Sequence, residues 1–297
     1  MSRGRSKGLA IQSRDIAILK GLGLASCLTS DSIRERWFPG DKTGEATRRR
    51  LQRFAEQGLT QRVAISVSRI NQPGRMPLVH RLLPLGADVV EDETGIRPLR
   101  VAKSDPPKPY TLLHRAGMGE IVLRFNEACA LHNLPEPQWL LEYDTIPGTP
   151  PNAPLSRRYL TRWDVPISKD ETSVCWPDAL CLFTLPTPTR TWHLAIAWEY
   201  DRSTETHSQF ARKLPAYQSW LEHRLYKQLF PTVDDARIFV VVKTDERLSH
   251  LVATIKEHPA SDLVRLTTHD ACRPTDMLSE SIWRYCDGQT RAILSFR

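Results

Sequence analysis

No stretch of this 297-residue chain approaches the roughly 18 consecutive apolar residues that cross a bilayer. A helical membrane span is therefore not expected, and no membrane partner is. No short apolar segment follows the basic start Met1-Ser-Arg-Gly-Arg5, which reads as a mobile basic arm rather than a secretory signal. Cysteine is scarce and scattered: Cys27, Cys129, Cys175, Cys181, Cys272 and Cys286 form no Cys-x-x-Cys pair and have no paired histidines nearby. That spacing argues against a zinc site, and the chain is too long for a small disulfide scaffold. Reduced, mostly buried thiols in a cytoplasmic protein are the expectation. Internal repeats and low-complexity tracts are also missing.

What is present fits a globular protein, with 40% hydrophobic and 25% charged residues. The length predicts two or three domains. Charge is unevenly spread. Residues 1–103 hold 19 Lys/Arg against 10 Asp/Glu, whereas the remainder holds 22 against 24. The positive excess thus belongs wholly to the N-terminal end. Clustered cations release condensed counterions on meeting phosphate, so this asymmetry suits a nucleic-acid partner.

Element signals divide the chain into residues 1–95, a linker at 96–109, and residues 110–297. Ser13 as N-cap and Asp15 in the first turn open a helix carrying Ile16, Ile18, Leu19 and Leu22, which Gly21-Leu-Gly23 should end. Thr29-Ser-Asp-Ser32 opens a short second helix, stopped by Pro39-Gly40. A third runs from about Lys42 to Gln57, with Ala46, Leu51, Phe54 and Ala55 inward and Gly58 closing it. Leu59–Ser68 and Leu78–Leu83 then read as strands around a turn at Asn71–Arg75. Three short helices followed by a hairpin are the layout of a winged helix-turn-helix. One more short helix opens at Pro84, and the linker is rich in proline and charge.

The second part predicts a helix over Tyr110–Leu134 and strands over Trp139–Ile146, Val174–Phe183 and Trp192–Tyr200, with a proline-rich loop at Thr145–Pro154. A long amphipathic helix over Glu205–Phe230 follows, then a buried strand at Arg237–Lys243, a helix near Glu246–Lys256 and a strand near Leu263–Thr267. The class is α+β: a winged helix followed by an α/β domain with a mixed sheet.

In a helix-turn-helix the third helix enters the major groove of double-stranded DNA. Successive helical residues stand about 100° apart, so Arg48, Arg49 and Arg50 cannot all point one way. The expected arrangement sets Thr43, Thr47 and Arg50 toward the groove and Arg49 and Arg53 on phosphates. Arg48 is a further DNA-binding candidate on this helix, and the hairpin adds Arg69, Arg75 and Arg81. The plainer alternative is a winged helix that binds protein or dimerises, its arginines solvating a surface.

The chemically suggestive feature of the second part is Trp176-Pro-Asp178, followed by Trp198-Glu-Tyr-Asp201. Asp178 and Glu199 brought to one sheet edge would suit Mg²⁺, which prefers oxygen ligands and polarises a phosphodiester. Lys213 on the next helix would supply a cation, Gln209 sits one turn before it, and Glu120 is a further possible ligand. Asp201 is a third carboxylate of the cluster. Against this stands a plain reading of solvated carboxylates paired with Arg202 or Arg212.

The chain resembles the replication-relaxation family of plasmid and mobile-element proteins. The resemblance is carried by Arg14–Leu19, Leu28–Ile33, Trp37–Gly40, Arg48–Leu51, Glu56–Leu59, Val79–Gly86, Leu113–Arg115, Trp176–Ala179, Trp198–Arg202 and Lys213–Tyr217. It implies a winged-helix DNA binder acting in replication, mobilisation or transposition, with protein partners in such a complex. The second part also resembles the restriction-endonuclease-like fold with its PD-(D/E)xK motif. Asp178 and Glu199 match the acidic positions of that motif, and Asp201 stands where its lysine belongs. Lys213 is then a lysine displaced onto the next helix, or the core is inactive and kept for assembly or DNA contact. The alternatives are a Mg²⁺-dependent DNA endonuclease targeted by the winged helix, or a dimeric transcriptional regulator, a homodimer on a palindrome being the usual helix-turn-helix arrangement.

Overall fold

A computed structural model describes residues 10–65, 77–103, 105–150, 152–202 and 207–295. The expected arm at the N-terminus lies outside them. The chain divides into two compact units, Met1–Leu123 and Arg124–Arg297.

The first unit runs α1 (Ser13–Ala25), β1 (Cys27–Thr29), α2 (Ser30–Trp37), α3 (Glu45–Glu56), β2 (Thr60–Ala64), β3 (Leu78–Leu82) and α4 (Pro84–Thr94). Its sheet is antiparallel in the order β1-β3-β2, with Leu28 and Arg62 flanking His80. Ile18, Leu19, Leu22, Ile33, Leu51, Phe54 and Leu82 meet in one core. Strand β1 escapes the sequence reading because three residues are too few to display a period.

Gln12, not Ser13, caps α1: its backbone N–H donates to the Asp15 carboxylate at 2.7 Å. The helix also runs straight through both glycines that were expected to end it. A Cβ on Gly21 would stand 2.6 Å from the Trp37 ring, and one on Gly23 2.4 Å from Pro98. These glycines admit close neighbours, so their role is packing and not termination. Helix α3 opens at Glu45, three residues later than expected, after Gly44 at φ 69°. The Asp41 carboxylate accepts from the Thr47 backbone N–H and hydroxyl at 2.8 and 2.7 Å, tying down that start.

The stretch expected to be a linker is partly fastened. Arg100 donates from its backbone to the Gly23 carbonyl and from its side chain to that of Leu24, while the Ala102 N–H bonds Leu82. The division between units falls instead within α5 (Pro109–Leu131). In the first unit Leu112 and Ala116 of α5 pack with Cys27, Ile65 and Val79. There a Cβ on Gly119 would meet the Ala25 carbonyl oxygen at 2.9 Å, which is why this turn of helix carries no side chain.

The second unit contains β4 (Gln138–Leu141), β5 (Trp163–Pro166), β6 (Thr172–Cys175), β7 (Ala179–Pro186), β8 (Thr191–Asp201), α6 (His207–Glu222), β9 (Asp235–Val242), α7 (Asp245–Ile255), β10 (Val264–Thr268), β11 (Trp283–Arg284) and β12 (Thr290–Arg291). Seven strands form one mixed sheet in the order β12-β11-β10-β9-β8-β7-β4. Strands β8, β9 and β10 run parallel, joined through α6 and α7, and the other neighbours are antiparallel. Ala195, Ala197, Ile238 and Val240 pack with Phe210, Leu214, Trp220 and Leu251 of the two helices. Trp198, on the alternate pleat of β8, meets Phe125, Phe239 and Trp283 edge to face.

The single strand expected over Val174–Phe183 is two. Strand β6 pairs with β5 in a separate ribbon, and β7 begins after Trp176-Pro-Asp178. Pro177 has no N–H for a ladder, so the chain leaves one sheet and enters another there. The long helix expected to Phe230 stops at Glu222, where Arg224 follows at φ 51°. All six cysteines are free and buried. No helix among the described residues is long and apolar enough to cross a membrane.

Candidate functional site

On α3, Leu51 and Phe54 face the core and leave Arg48, Arg49, Gln52 and Arg53 exposed. Lys42 and Thr43 are exposed in the turn before it. Arg49 stands 3.6 Å from Glu45 on the same outer face, and Arg48 reaches the Thr43 carbonyl at 3.3 Å. Arg48, Arg49 and the exposed Arg62 of β2 line one shallow cleft. Arg62 was missed because a lone arginine in a short strand carries no sequence signal for where its neighbours lie.

Two residues expected on this face are turned away from it. Thr47 is buried, its hydroxyl and N–H both given to Asp41. Arg50 clasps the fully buried Asp15 through Nε, at 2.8 Å, and Nη2, and Nη2 also donates to the Ala10 carbonyl. A carboxylate buried without a cation would be costly, and Arg50 is the partner that neutralises it. Arg81 likewise is mostly buried and donates to Gln61 at 2.8 Å. Arg69 and Arg75 lie outside the described residues.

In the second unit, the Trp176-Pro-Asp178 break sets Asp178 at the head of β7. The pairing of Ala179 with Trp198 brings it beside Glu199 on β8, and the Asp178 carboxylate accepts from the Tyr200 N–H at 2.7 Å. Glu199 lies on the pleat that faces α6 and is buried. Two α6 side chains one turn apart close on it: Lys213 Nζ sits 2.9 Å from Oε2, and the Tyr217 hydroxyl donates to Oε1. A carboxylate oxygen of Glu142, just past β4, lies within 4.8 Å of one on Asp178.

Burial drives the Glu199 carboxyl up to about 7; Lys213 opposes that rise and the negative charge of Asp178 adds to it. Burial, reinforced by Glu199, raises the Tyr217 phenol well above its ordinary value. The negative charges of Asp178 and Glu199 therefore oppose one another at this strand end. A hard divalent cation such as Mg²⁺ would find oxygen donors on Asp178 and Glu142, with Glu199 beside Asp178. Lys213 and Tyr217 already use both Glu199 oxygens, so such a cation would compete with them.

Asp201, the remaining carboxylate of the expected cluster, is held elsewhere. Arg247 of α7 donates to its Oδ2 through Nε at 2.8 Å and Nη2 at 2.5 Å, with both side chains buried. Asp201 and Arg247 thus pin α7 to the end of β8. Glu120 lies in the first unit, where its carboxylate accepts from the Ser32 hydroxyl at 2.8 Å. The Gln209 side chain is outside the described residues. Tyr217 was read only as part of an apolar stripe, although its i+4 spacing from Lys213 was a signal for a shared target. Arg247 carried none, because its partner Asp201 stands at the end of β8, 46 residues earlier in the chain.

No curated protein and no solved structure matches the chain. The model of a family described as replication-relaxation matches residues 19–233, well over half of the chain and parts of both units. On that match the chain belongs to the replication-relaxation family.

Proposed function

We propose that this protein binds double-stranded DNA in the replication or mobilisation of a mobile element, its first unit acting as a winged helix-turn-helix. Family membership supports the process, and the α1-β1-α2-α3-β2-β3 order supports the motif. The observation that carries the reading is the cluster of exposed guanidiniums of Arg48, Arg49, Arg53 and Arg62 on α3 and β2. Thr43 and Lys42 stand at the leading end of the helix, where base edges are read. Arg69 and Arg75 keep their assignment to the hairpin on sequence alone. Each phosphate contact contributes about 0.9 to the slope of log affinity against log salt. The pair Arg49→Ala, Arg53→Ala should flatten that slope by about 2 in a duplex mobility-shift titration. An unchanged slope would remove α3 as the docking surface.

A second reading has its own support. A helix, three antiparallel strands (β4, β7 and β8), a helix and a parallel strand form the core order of restriction-endonuclease-like domains, and Asp178, Glu199 and Lys213 gather at one strand end. In that reading Asp178, Glu142 and Glu199 hold Mg²⁺, which would polarise a phosphodiester. Lys213 would steady the anionic oxygen, and Asp201 would be structural. Plasmid incubated with Mg²⁺ or Mn²⁺ should be nicked by the protein and left intact by Asp178→Ala and Glu199→Gln. Cleavage that survives both changes, or no cleavage with either metal, refutes this reading.

A further inference from the structure

The second unit has a cavity that neither reading uses. It opens on the sheet face opposite α6, beside Phe183, Leu194, Asp235 and Phe239, with the C-terminal hairpin of β11 and β12 as one wall. On β8, Leu194 is five residues from Glu199, about 17 Å along the strand, and points to the other face. The cavity is therefore separate from the carboxylate cluster.

Its volume is about 410 Å³, the size of a small-ligand site. The lining is two-sided in chemistry. Trp192 and Trp283 contribute apolar and aromatic wall, and Trp192 is 41% exposed. Arg237, Arg265 and Arg291 converge on the same space. Asp235 partners Arg237, and Asp287 partners Arg291. Arg265 is 93% buried and, among the described residues, has no carboxylate at salt-bridge distance; it donates to the carbonyls of Asp262 and Val264. Arg265 and Arg291 both stack on Tyr285, at 3.6 and 4.2 Å from its centroid. Burial holds Arg265 below the ordinary arginine range; Tyr285 opposes this, and the charges of Arg237 and Arg291 reinforce it. Arg190 adds another cation over the Trp192 ring.

Three guanidiniums, Arg237, Arg265 and Arg291, against the two carboxylates of Asp235 and Asp287 leave an excess of positive charge that suits an anion. Their planar donors match phosphate oxygens, and the aromatic wall beside them matches the face of a base. We propose that this cavity binds a nucleotide unit, the base in the aromatic chamber and the phosphate on Arg265 and Arg291. The same chemistry is offered by a free mononucleotide or by one unit of a single strand. The inference stands apart from the DNA reading of α3.

The test is calorimetric titration of the full chain with deoxyadenosine monophosphate, with inorganic phosphate, and with a ten-residue deoxyadenosine oligonucleotide as competitor. The monophosphate should bind at least about tenfold more tightly than phosphate. Trp192→Ala and Arg291→Gln, both at the exposed rim, should each weaken it at least about tenfold without moving the thermal midpoint. Arg49→Ala should leave it unchanged. Displacement of the monophosphate by the oligonucleotide identifies a strand as the source; its retention identifies the free nucleotide. No binding, equal affinity for inorganic phosphate, or affinity unaltered in both rim variants would overturn the proposal.

Discussion

Arg50 separates a contact read from helical geometry from one made by tertiary structure. Replacing it with alanine leaves Asp15, fully buried, without its cation. Loss of one member of a buried ion pair costs about 3–5 kcal/mol. Arg50 itself is 13% exposed, so some solvation of Asp15 returns and the lower end, about 3 kcal/mol, is expected. Part of this loss is local: the same Asp15 carboxylate accepts the Gln12 N–H that opens α1, and Arg50 also stacks 5.5 Å from Phe54. For a unit of this size that cost lowers the thermal midpoint by about 10 °C or more. Arg49→Ala, on the exposed face, should move it by no more than about 2 °C. Circular dichroism on both variants, paired with a duplex-binding titration, reads the two effects separately. Arg50→Ala should lose stability and Arg49→Ala should lose affinity. If Arg50→Ala keeps the midpoint of the parent and loses as much affinity as Arg49→Ala, the buried pair is not what holds α1 against α3.

Two further outcomes concern buried ionisable groups. Glu199 titrates near 7 when folded and near its ordinary value when unfolded, so between about pH 4.5 and 7 the folded state binds the extra proton and stability falls as pH rises. His80, lowered to about 4 mainly by burial, acts with the opposite sign, its folded form losing the proton first and stability rising from about pH 4 to 6.5. Denaturant unfolding across this range should therefore show a more positive slope in Glu199→Gln than in the parent; identical slopes would mean that Glu199 stays ionised. Arg247→Met should destabilise the protein by about 3 kcal/mol by stranding Asp201, and Asp201→Asn added to it should restore most of the loss. Simple additivity of the two changes in equilibrium unfolding would refute the pair.

The legible parts of this chain are those whose cause is local. Thr29 caps α2 and accepts from the Ser32 N–H, as its position in Thr29-Ser-Asp-Ser32 implies. The apolar run Ile238–Val242 is a strand buried on both faces, as an unbroken β-branched stretch implies. The two glycines of α1 misled because a local rule treats glycine as a stop, whereas Trp37 and Pro98 arrive from elsewhere to use the space. Trp176-Pro-Asp178 misled differently, for its composition suits a strand and only the pairing of β5 with β6 shows where one sheet ends.

The sequence alone determined that cations gather at the N-terminal end, that the cysteines are buried and unpaired, and that Asp178, Glu199 and Lys213 recur at a spacing that can converge. Each of these depends on composition or on distance along the chain. Only the tertiary structure decided which arginines remain on the surface and which carboxylates stay together. Asp15 captures Arg50, Arg247 captures Asp201, and Tyr217 joins Lys213 on Glu199. Those assignments are made between elements 14 to 46 residues apart. A buried charge takes whichever partner the packing delivers, and no periodicity in the chain encodes that choice.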